Sequence, residues 1–116
     1  MMKIIVATEG GLKGKAASHF AHCTHFVVFN TADKKIESTE AVENPYFKKH
    51  VPGAIPKFVE SLGADVLITE GIGPMAVKLF GKMNIEVIYG IKGNANDLVK
   101  HYLEGELEPD ENACNH

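Results

Sequence analysis

Between residues 63 and 74 the chain reads Gly63-Ala64-Asp65-Val66-Leu67-Ile68-Thr69-Glu70-Gly71-Ile72-Gly73-Pro74. Val66 to Ile68 is an unbroken apolar run, the pattern of a strand buried on both faces. Gly71-Ile72-Gly73 then turns the chain. Pro74 suits the first position of a helix, where its missing N–H costs nothing. Met75, Val77, Leu79 and Phe80 supply the apolar residues of a short helix that stops near Gly81. A buried strand that turns directly into a helix is half of a parallel crossover, so this segment sets the fold class as α/β.

The flanking sequence extends the pattern in both directions. Ile55, Phe58, Val59 and Leu62 recur at i, i+3, i+4 and i+7, one face of a helix with Pro56 in its first turn and Gly63 at its end. Ile85-Glu86-Val87-Ile88-Tyr89 is a further strand, and Asn94 can cap a last helix whose apolar face is Leu98, Val99, Tyr102 and Leu103. Toward the N-terminus, Lys3-Ile4-Ile5-Val6-Ala7 reads as a buried strand. Residues 25–30 and the alternating stretch 36–42, joined through Ala32-Asp33-Lys34-Lys35, form an antiparallel hairpin with a polar edge strand. The expected order is β-β-β-α-β-α-β-α, a mixed five-stranded sheet with flanking helices. Ligands of such sheets gather beyond the carboxyl ends of the parallel strands. Those ends are the 9–24 loop, the 70–74 turn and the 89–93 turn, which are expected to converge.

Length and charge narrow the classes of function. The 116 residues suit one domain, assigned to residues 1–105, and the acidic, aperiodic stretch 106–116 reads as a flexible tail. No apolar run reaches the ~18 residues of a membrane span, and the charged start is no signal peptide. A cytoplasmic protein without a membrane partner is expected. All 12 basic residues are lysine, and the net charge is −3. Without arginine forks or a basic footprint, nucleic acid is not expected as a partner.

The chemistry concentrates in His19-Phe20-Ala21-His22-Cys23-Thr24-His25. His19, His22 and Cys23 stand at i, i+3 and i+4, so one helical turn would bring all three to one side. Imidazole with thiolate suits zinc, copper(I) or iron–sulfur species. Cys114 and His116 form a second soft pair that could close on the same metal. His25 opens a buried strand and reads as a capping or packed residue. Gly71 and Gly73 place backbone amides at a helix start, where anions are held. Gly73 is read as a positive-φ position that a β-branched residue would strain. Lys13, Lys15, Lys48 and Lys49 add positive charge near the same edge. Glu9, Glu40 and Glu70 raise a carboxylate-dependent nuclease as a rival. No aspartate ends a strand and no nucleophile elbow is present, so no enzyme is expected.

Ser18-His19-Phe20, Glu43-Asn44-Pro45, the strand 63–68 and Gly71-Ile72-Gly73-Pro74 together resemble the dinitrogenase iron–molybdenum cofactor biosynthesis family, from about Lys3 to Leu103. The resemblance implies a ribonuclease H-like fold and a non-enzymatic binding or carrier role for an iron–sulfur or molybdenum–iron–sulfur cluster. Cluster donor and acceptor proteins would be the partners. It implies a cluster-holding role for His19. The family commonly has glycine and arginine where this chain has Ala21 and His22, and a glycine where Asn84 stands. A mononuclear zinc or copper(I) module built on His19, His22 and Cys23 is the other alternative.

Overall fold

The structure is a computed structural model that describes residues 2–10, 14–46 and 53–105. Strand β1 (Met2–Glu9) lies at its centre. Strands β2 (Lys15–Ala16), β3 (His25–Ala32), β4 (Lys35–Glu43), β5 (Val66–Ile68) and β6 (Glu86–Ile88) complete one mixed sheet, and the helices are α1 (Ala54–Ser61), α2 (Pro74–Lys82) and α3 (Ala95–Leu103). The main path through the sheet is β4-β3-β1-β5-β6, with β2 paired to β1. The sheet therefore has six strands where the sequence suggested five. The extra strand is a two-residue rung, Thr8 against Ala16 and Glu9 against Lys15, inside the segment read as a loop. A pair this short carries no alternation from which to read it.

The expected hairpin and parallel pairs form. β1 runs antiparallel to β3 and parallel to β5, which runs parallel to β6. Period-two alternation sorts the core onto both faces. Ile5, Ala7, Phe26, Val28 and Leu67 join Ile55, Val59 and Phe80 of α1 and α2 on one side. Ile4, Val6, Val27, Phe29 and Ile68 meet Ala95, Leu98 and Val99 of α3 on the other. A register shift at Asn30/Thr31 bends the polar edge pair β3–β4, which helps keep an exposed edge from pairing further.

The caps follow local chemistry. Asn94 accepts from the Asp97 amide at 2.9 Å and starts α3. Asn84 sits at φ 61 between α2 and β6. Asparagine tolerates this left-handed region better than most residues. No helix of the described residues is long and apolar enough to cross a membrane. The expectations for Cys114, His116, Lys13, Lys48 and Lys49, and for the stretch 106–116, lie outside the described residues.

Candidate functional site

The three expected strand ends do converge, stitched by backbone hydrogen bonds. The Ala17 carbonyl accepts from the amides of Glu70 at 3.1 Å and Gly71 at 3.3 Å, and the Phe20 amide returns a bond to the Gly71 carbonyl at 2.8 Å. Gly90 donates to the Glu70 carbonyl at 2.7 Å, and Ala16 donates to the Gly93 carbonyl at 2.8 Å. Buried Thr69 adds its hydroxyl to the Ala17 carbonyl at 3.1 Å. The segment after β1 is thereby pinned against the glycine turn.

Phe20 anchors the histidine segment. Its ring is buried edge-on against Phe80, with centroids 5.5 Å apart, and tilted against Phe26 at 6.1 Å. Residues Phe20–His22 form one 3₁₀ turn, which His19 enters in an extended conformation. Three residues make a 3₁₀ turn, so positions i and i+3 share a side while i+4 rotates away. His19 and His22 accordingly both face solvent, with ring centroids 6.2 Å apart and planes perpendicular.

Cys23 does not join them. The expected α-helical spacing is not realised, and the thiol turns inward until the residue is fully buried in the core. Burial pushes its pKa from the ordinary 9.0 up to about 12, against a lowering by the Asn44 side chain. A thiol so placed stays protonated and behaves as a small apolar group. Among the described residues no three His, Cys, Asp or Glu side chains cluster closely enough to hold a metal ion.

Asn44 is the residue whose role the sequence reading missed. Its Nδ2 donates to the Cys23 carbonyl at 2.8 Å and approaches Cys23 Sγ at 3.6 Å, while its Oδ1 accepts from the Tyr46 amide at 2.9 Å. It is 5% exposed. A buried amide must satisfy its polar atoms, and here it does so by clamping the segment that follows the histidines. The side-chain-to-backbone turn before Pro45 was the available signal. His25 opens β3 half-buried, with Nδ1 2.9 Å from Thr24 Oγ1.

The glycine turn supplies the opposite wall. His19, Phe20, Ala21, His22, Gly71, Ile72 and Gly73 enclose an open cavity of about 160 Å³. Gly71 is less an anion seat than a crossing point, because its amide is already bonded to Ala17 and the Ser18 carbonyl lies directly over it. Gly73 has φ −75, so the positive φ expected there is not observed, and nothing lies within 4 Å of where a Cβ would stand. Its lack of a side chain leaves the start of α2 open. Glu70, the carboxylate nearest the turn in sequence, faces Lys92 at 3.7 Å, a surface pair of small energetic weight.

With that geometry in place, comparison with known proteins gives the family. The model of the dinitrogenase iron–molybdenum cofactor family matches residues 2–105. This chain belongs to that family. Relatives share the fold over nearly their whole length. An uncharacterized protein of Methanocaldococcus jannaschii is 26% identical over 110 residues, covering 93% of this chain and 91% of that one. The crystal structure of PH0822 superposes with a TM-score of 0.87 at 27% identity, over 99% of this chain and 100% of the other. The apo form of the orange protein from Desulfovibrio gigas gives 0.82 at 28% identity, over 95% and 93%. Family membership thus attaches to the domain that carries the cavity.

Proposed function

We propose that this protein is a non-enzymatic carrier of an iron–sulfur or molybdenum–iron–sulfur cluster, bound as cargo at the cavity between His19, His22 and the 71–73 turn. The observation that carries this reading is the pair of exposed imidazoles at the mouth of that cavity. A neutral imidazole offers a ring nitrogen to a soft or borderline metal. The helix start on the opposite wall places the positive end of the α2 dipole where an anionic cluster would sit. Membership of the iron–molybdenum cofactor family supports the class of cargo. The ribonuclease H-like classification, a cytoplasmic location and delivery between a donor and an acceptor protein belong to the same reading. The alternative mononuclear site loses its thiolate, because Cys23 is buried.

Anaerobic reconstitution with iron, sulfide and molybdate, followed by gel filtration and absorption spectroscopy, tests the proposal. Charge-transfer bands that co-elute with the protein and vanish in His19→Ala are expected. A colourless protein with stoichiometric zinc would favour the mononuclear site, and magnesium-dependent nucleic-acid cleavage the nuclease.

A further inference from the structure

A second and larger cavity lies at the opposite pole of the sheet. Its volume is about 310 Å³, and its lining is Lys34, Lys35, Ile36, Lys100, Leu103 and Glu104. The pairing register places it: the β3–β4 turn adjoins the Met2 end of β1, whereas the histidine segment follows the Glu9 end. The three lysines are exposed, while Ile36 and Leu103 are half-buried and pack on the α3 side of the core. The lining thus sets three ammonium groups, those of Lys34, Lys35 and Lys100, against the single carboxylate of Glu104. Like charges gathered over an apolar floor repel one another and favour an anionic occupant.

We infer that this cavity docks an acidic polypeptide segment of a partner protein, with carboxylates on Lys34, Lys35 and Lys100 and an apolar side chain on Ile36 and Leu103. Phosphate is the poorer fit. The last turn of α3 lines the cavity, and a helix C-terminus is the negative end of the dipole, which opposes a compact multiple charge. There is no arginine in the chain to grip phosphate bidentately. Carboxylates spread along a peptide can reach separate lysines while a side chain between them covers the floor. Docking at this pole leaves the His19 cavity open, as transfer of a cargo to or from a held partner requires. The docking surface itself does not depend on what that cavity carries.

Fluorescence anisotropy of a short labelled peptide of alternating glutamate and leucine, added to the full chain at low salt, tests the docking. Saturable binding that weakens with salt is expected. The variant Lys34→Gln/Lys35→Gln/Lys100→Gln should bind about tenfold more weakly, three partly exposed pairs each being worth a factor of about two. Lys57→Gln/Lys78→Gln/Lys82→Gln removes the same charge from α1 and α2 and should bind normally. Equal loss in both triple variants, or no binding by the parent chain, would overturn the inference. Displacement by inorganic phosphate as readily as by unlabelled peptide would make the cavity an anion site instead. Glu106→Gln/Glu108→Gln/Asp110→Asn/Glu111→Gln addresses the chain's own acidic sequence. Binding seen only in that variant would assign the cavity to the chain's own end and would also overturn docking of a partner.

Discussion

The Ser18 carbonyl oxygen lies over Gly71 closer than any Cβ at that position would permit. The crossing brings the backbone before His19 onto the glycine turn, and it is the reason the two walls of the cavity meet. Gly71→Ala should therefore force the two segments apart and cost about 2 kcal/mol or more, as overpacking against backbone does. Gly73→Ser supplies the contrast. That position has ordinary φ and open space, and serine is a preferred helix N-cap, so stability should hold or rise by up to about 1 kcal/mol. Denaturant unfolding of the two variants measures both. Equal stability would sink the distinction.

Phe20 converts core packing into display of its neighbours. Phe20→Ala removes the ring buried between Phe80 and Phe26 and should cost about 3–5 kcal/mol. In any folded fraction the 3₁₀ turn loses its anchor, and cargo retention should fall although no ligating group has been touched. Thermal unfolding with reconstitution checks both outcomes.

Asn44→Ala leaves the Cys23 carbonyl and the Tyr46 amide without partners. The buried carbonyl costs on the order of 1–3 kcal/mol and the part-buried amide less, so a loss of about 2–3 kcal/mol is the expected scale. Faster amide exchange at Tyr46 would report the lost clamp directly. Unchanged exchange and stability would show that Asn44 is dispensable.

His22 is one of the two exposed imidazoles at the mouth of the cavity. His22→Arg should leave folding within about 0.5 kcal/mol, because the side chain is exposed. An anionic cargo should still be retained by charge, but with altered charge-transfer bands, since guanidinium does not ligate. An identical spectrum from the variant would remove His22 from the donor set.

Alkaline pH should loosen the fold in a defined window. Cys23 is raised from 9.0 to about 12 chiefly by burial, and Tyr102 from 10.0 to about 12 by burial and then by its hydrogen bond to Glu86. Both groups hold protons in the folded chain that the unfolded chain releases first. Stability from them is intact below pH 9 and declines as pH rises toward about 12. Cys23→Ala should flatten the early part of that decline. Denaturant midpoints measured across the window would expose a Cys23 contribution of the opposite sign.

Much of this architecture was legible in local patterns. The runs at Ile4–Val6 and Val66–Ile68, the i, i+3, i+4 face of Ile55, Phe58 and Val59, and the Asn94 cap each follow from interactions within a few residues, so the α/β order could be read directly. Ser18-His19-Phe20 and the glycine turn likewise marked the two walls of the cavity. What the 9–24 segment would do was not local. Its short strand depends on Thr8 and Glu9, and its 3₁₀ turn on a ring that packs against Phe80, far along the chain. Spacing alone allowed Cys23 to stand beside His19 and His22. Only the tertiary structure decided otherwise, because Asn44 and the core take the thiol inward while the turn leaves both imidazoles in solvent. Glycine at 71 was visible as a letter, but the crossing Ser18 carbonyl that requires it exists only once the chain has folded over itself.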